Sequence, residues 1–119
     1  MSEVHEGLEV VAFEDPTRLR MWLEEAGAAH PGVWVRLQRA TSSRPSVTFR
    51  DLLVEGIAFG WSESTRHAYD AQSYLQRFSP RRVRGTASER NRRIAAELEE
   101  AGRMTDAGRA ALGPSAGSR

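Results

Sequence analysis

Gly32-Val33-Trp34-Val35-Arg36-Leu37-Gln38-Arg39 sets Val33, Val35 and Leu37 against Trp34, Arg36 and Gln38. This period of two marks a strand with one buried face and one polar face. Upstream, Asp15-Pro16 is an N-cap residue followed by proline at the first helical position, so a helix starts there. Leu19, Trp22, Leu23 and Ala26 fall at i, i+3, i+4 and i+7 on that helix, and Gly27 stands where it should stop. Residues 8–13 before it are rich in β-formers. Downstream, Thr41 to Ser46 reads as a turn around Pro45, and Thr48 caps a second helix with Phe49, Leu52, Leu53, Gly56 and Ile57 on one side. Gly56 and Gly60 are expected to weaken its end.

Gly60 to Arg66 and Gln72 to Phe78 form two further strands joined by a turn at Ala68 to Ala71, with Tyr69 and Tyr74 as aromatic anchors. Ser79-Pro80 ends the second of them. Thr86 or Ser88 opens a third helix through Ile94, Ala95, Leu98 and Ala101, Gly102 closes it, and Thr105 caps a short helix to Leu112. The expected fold is α+β: three to four helices packed on a small, mainly antiparallel sheet of three or four strands. Residues 1–112 form the single domain, and 113–119, rich in glycine and serine, form a flexible tail.

With 119 residues there is room for one core and no second domain. A mean hydropathy of −0.54 excludes a membrane protein, while 39% hydrophobic residues exclude full disorder. Cysteine is absent, which removes disulfides, thiolate metal sites and cysteine nucleophiles together. The first residues lack the basic start and apolar run of a signal peptide. A cytoplasmic, reducing compartment is the expectation, with no cofactor and no metal. All 17 basic residues other than histidine are arginine, a usage that coding bias explains as readily as guanidinium chemistry. Their spread is uneven: residues 1–30 carry a net −5, residues 31–95 a net +7 and the remainder −1. The positive charge concentrates in Arg77, Arg81, Arg82, Arg84, Arg90, Arg92 and Arg93. Such a cluster serves either as an anion-binding surface or as a solvated face.

Four elements occur in order: Gly60-Trp61, Arg77-Phe78-Ser79-Pro80-Arg81, Ser88-Glu89-Arg90-Asn91, and Gly102-Arg103-Met104-Thr105-Asp106-Ala107-Gly108. Together they resemble the bacteriocin-protection family, also called YdeI or OmpD-associated. The likeness extends upstream to Trp22-Leu23 and Gly32-Val33-Trp34. Three positions depart from the family pattern: Gln38 and Arg39 where it has a lysine, Ser62-Glu63-Ser64 where it has an apolar residue followed by Asp and Ser, and Ala87 where it has a second tryptophan. The resemblance implies a small bacterial protein linked to tolerance of antimicrobial peptides or envelope stress.

Catalytic signals are thin. His5, His30 and His67 are far apart in sequence and none has a partner at helical ligand spacing. Gly60-Trp61-Ser62-Glu63-Ser64 ends in serine where a nucleophile elbow ends in glycine, and its flanks read helix-to-strand. Glu63 beside Arg66 and His67 suits either an acid/base group or an exposed charged hairpin. The binding reading rests on Arg77, Ser79 and Arg81 with the start of the third helix. There, free N–H groups, guanidinium forks and the hydroxyl or amide groups of Thr86, Ser88 and Asn91 would hold an anion. Trp61 would serve as a stacking wall or else as core, and Arg77 would bind the anion or else pair with Glu63 or Asp70. The preferred function is a non-enzymatic module for an anionic small molecule or protein partner. A cryptic enzyme acting on a phosphate- or carboxylate-bearing small molecule is the alternative. Single-stranded nucleic-acid binding through arginines interleaved with Tyr74, Phe78 and Trp61 comes third.

Overall fold

The computed structural model describes residues 3–82 and 88–113. Its elements run β1 (Val4–His5), β2 (Leu8–Val11), α1 (Pro16–Ala26), β3 (Val33–Gln38), α2 (Phe49–Phe59), β4 (Trp61–Ala68), β5 (Ser73–Pro80), α3 (Glu89–Glu100) and α4 (Asp106–Leu112). Each helix starts on a side chain that caps it. The Asp15 carboxylate accepts from Arg18 N at 2.9 Å, and Thr48 and Asp51 exchange side-chain and backbone bonds in a capping box. Ser88 Oγ accepts from Asn91 N, and Thr105 Oγ1 from Gly108 N.

The strands form one sheet in the order β1-β2-β3-β5-β4. Only the β2–β3 pair is parallel, linked by α1 as a crossover; the other pairs are antiparallel. The fold is therefore α+β with four helices on a mostly antiparallel sheet. The sheet has five strands, not three or four. The extra one, β1, turns into β2 through Glu6 and Gly7, both in the left-handed region at φ 47° and 84°.

Alternation in the central strand decides what lies on each side. Val33, Val35 and Leu37, with Phe78 from β5, join Leu19 and Leu23 of α1, Leu52 of α2 and Trp61 in one core cluster. Helices α3 and α4 lie beyond α2, where Ile94, Ala95, Leu98 and Met104 meet Leu53, Ile57 and Ala58. The opposite face carries Trp34, Arg36, Leu75 and Arg77 in register, and no helix among the described residues covers it. Trp34, expected on the polar face, is nevertheless only 1% exposed.

Packing gives the two glycines at the end of α2 a role. Gly56 stands at a close approach, where a Cβ would lie 3.0 Å from the Phe78 ring and from Trp61 O. Gly60 is the left-handed C-cap whose N–H bonds Gly56 O. The Gly-Arg-Met-Thr-x-x-Gly run is a docking device. Thr105 Oγ1 donates to Ala58 O at 2.5 Å, and a Cβ at Gly108 would lie 2.3 Å from that same carbonyl oxygen, so only glycine lets α4 rest on the end of α2. Buried Glu55 joins Arg20 Nη1 at 2.9 Å and Arg103 Nη2 through its two oxygens, while Arg20 Nη2 donates to Arg103 O. One carboxylate thus fixes α1, α2 and the α3–α4 loop together.

Candidate functional site

At the end of the molecule where α2 stops and β5 leaves the sheet, a cavity of about 250 Å³ opens among Phe59, Gly60, Pro80, Arg81, Arg82 and the alanines of α4. Its origin is local. Arg81 N donates to Gly60 O at 2.8 Å, which extends the β4–β5 pairing one residue beyond the Pro80–Trp61 pair. Ala107, Ala110 and Ala111 line the opposite wall, and their short side chains leave room where larger ones would close it. The volume lies just below the usual ligand-pocket range of about 300–1,000 Å³. Two arginines therefore border a small apolar wall. Among the described residues, those lining it bring no hydroxyl, imidazole or carboxylate side chain.

The residues singled out from sequence are not gathered in one place. Trp61 is 2% exposed and enclosed by Trp22, His30 and Phe78 at ring-centroid distances of 5.1–5.5 Å. Its place is the core, with no open face for stacking. Arg77 and Ser79 alternate with Phe78 and so lie on the helix-free face, where the Arg77 guanidinium carbon is 5.9 Å from the Trp34 ring centre. Ser88 is spent on capping α3, and buried Asn91 accepts from Arg90 Nε and Nη2 at 3.1 and 3.0 Å. Arg81 alone of the six lines the cavity. Of the two acids weighed as partners for Arg77, Asp70 pairs with Arg36 at 2.8 Å, and Glu63 lies 3.9 Å from Arg90. Arg84, Thr86 and Ala87 lie outside the described residues, as do positions 114–119 of the expected tail.

Three groupings escaped the sequence reading. Arg82 joins Arg81 at the cavity. Glu55 turns out to be a buried structural anion. His5 and His67, separated by 62 positions in sequence, touch at 3.0 Å with Glu6 beside them. Distance in sequence hid that pair, and only the strand order reveals it.

No curated protein and no solved structure matches this chain. Residues 11–111 match the family model described as a domain of unknown function, DUF8412. That span takes in every described element except β1, all but the last residue of β2 and the last residue of α4, and the chain belongs to this family.

Proposed function

We propose that the protein is a non-enzymatic module that binds a small anionic ligand in the cavity flanked by Arg81 and Arg82. The observation that carries this reading is the lining itself: two arginines and an alanine wall, with no nucleophile or general-base side chain among the described residues that line it. Binding is supported over the alternative of a cryptic enzyme for that reason. The resemblance to the bacteriocin-protection family supports a cytoplasmic role in envelope stress or peptide tolerance, in which the anion or an acidic partner would be the signal. No helix among the described residues is long and apolar enough to cross a membrane. The nucleic-acid reading loses support because Phe78 and Trp61 are buried and the Tyr74 ring already lies under Arg39 and Arg66, at 5.3 and 4.3 Å.

A thermal-shift panel of phosphate, nucleotides, dicarboxylates and short oligonucleotides tests the proposal, because any ligand of the native state raises the midpoint by mass action. The expected result is a selective shift with a small anion that is lost in Arg81→Ala, Arg82→Ala and Ala110→Leu. The last of these fills the cavity without removing charge. No shift with any anion, or a shift that survives all three substitutions, would sink it. A steep salt-dependent shift with oligonucleotides would favour nucleic acid instead.

A further inference from the structure

The helix-free face of the sheet holds a second arrangement, independent of the cavity. Strands β1 and β4 stand at opposite edges, four strand spacings apart, or about 19 Å if the sheet were flat. Yet His5 of β1 and His67 of β4 meet over Trp34 of the central strand. The His67 ring stacks on the indole with centroids 4.6 Å apart, and the His5 ring stands edge-on to it at 4.9 Å. The sheet therefore curls around Trp34, and the Tyr69 hydroxyl, donating to the Glu3 carboxylate at 2.7 Å, ties the same two edges again.

This closure brings three donor atoms together. His5 Nε2 and His67 Nδ1 are 3.0 Å apart, and Glu6 Oε2 is 3.9 Å from the first and 3.8 Å from the second. A triangle with those sides has a circumradius of about 2.1 Å, which matches the bond lengths of Zn²⁺ to imidazole nitrogen and carboxylate oxygen, about 2.0–2.2 Å. Glu6 is the one described residue other than glycine with a positive φ, 47°. This is an uncommon conformation for glutamate, and it sits in the turn that carries the carboxylate beside the two imidazoles.

We infer that His5, Glu6 and His67 form a binding site for a divalent transition-metal ion of the zinc class. Two imidazoles and one carboxylate favour zinc and its neighbours over magnesium or calcium, which prefer oxygen ligands. Three protein ligands leave a further position for water. The imidazoles are about one-third exposed and the carboxylate 62%, so the ion enters directly from solvent. Coordination asks only for a tautomer in which each ring carries its hydrogen on the nitrogen away from the ion.

Calorimetric titration of the untagged, chelator-stripped full chain with Zn²⁺, with Mg²⁺ as control, tests the site. One Zn²⁺ per chain is expected, with no Mg²⁺ binding, and both Glu6→Gln and His67→Gln should weaken the affinity at least tenfold. Glu6 is largely exposed, so its variant reports on coordination even if His67→Gln disturbs the packing on Trp34. Absence of Zn²⁺ binding by the wild type, or an affinity unchanged in Glu6→Gln, overturns the assignment.

Discussion

On the helix-bearing side of the sheet, Val33, Val35, Leu37 and Phe78 are buried beneath α1 and α2, whereas on the other side Trp34 and Leu75 are as fully buried with no described helix above them. The first side is closed by layers and the second by side chains reaching in from both edges. A helix supplies apolar cover and hides its own backbone polar groups. Cover by His5 and His67, beside Arg36 and Arg77 of the inner strands, instead brings titratable and hydrogen-bonding groups to the surface of a packed layer. The lesson is that the helix-free face combines the rigidity of a core with the chemistry of a surface, which is the combination a binding site needs.

The sharpest way to break this comparison is Trp34→Ala. If the helix-free face is a second packed layer, the substitution costs about 3–5 kcal/mol, as for other buried tryptophan truncations, and chemical denaturation reads the loss directly. A cost under about 1 kcal/mol would place Trp34 among ordinary surface residues. On the helix side the matching test is Glu55→Ala. It removes the anion shared by Arg20 and Arg103, whose side chains are 25% and 45% exposed. Breaking a buried pair costs roughly 3–5 kcal/mol, and because both guanidinium groups can turn toward water the low end, about 3 kcal/mol, is expected here. A neutral result in the same denaturation assay would mean that α1, α2 and the α3–α4 loop are held by apolar contact alone.

Most of the helix side was legible in the sequence because its signals are local. Asp15-Pro16, Thr48, Ser88 and Thr105 each act on an N–H three residues on, and Val33-Val35-Leu37 needs only the pleat of a strand. The Gly60–Arg66 and Gln72–Phe78 strands were found two residues short at their C-terminal ends, since Ala68 and Pro80 carry no pattern of their own. Strand β1 was missed because two residues cannot show a period. The helix-free face was misjudged because the burial of Trp34 depends on residues 29 positions before it and 33 after it in the chain, and a period of two reports orientation without reporting what lies opposite. Of the candidate site, Arg81 was legible through the density of arginines. The separation of Arg77 and Ser79 from Ser88 and Asn91 was not, because it follows from which side of the sheet α3 occupies.

The smallest expected effect lies at the tip of the β4–β5 hairpin, where the helix-free face meets solvent. Asp70 Oδ1 accepts from Ser73 Oγ at 2.8 Å and from Gln72 N at 2.9 Å, and Oδ2 accepts from Arg36 Nη2 at 2.8 Å. Ser73 Oγ in turn accepts from Arg36 Nε, so the three side chains form one closed network. These hydrogen bonds, the Ser73 hydroxyl first, with the charge of Arg36 adding to them, hold the Asp70 carboxyl below the ordinary aspartate range. The folded protein therefore releases this proton more readily than the unfolded chain does, and unfolding in acid takes a proton up. Its stabilisation is complete above the ordinary aspartate pKa and fades as pH falls below that value through the folded one. Thermal midpoints of the wild type and Asp70→Asn, followed from neutral pH into acid, should differ by a few degrees at neutrality and converge as the carboxyl protonates. A gap that stays constant across the whole range would show that the carboxylate's charge contributes nothing at this edge, and that the network acts through hydrogen-bond geometry that asparagine cannot reproduce.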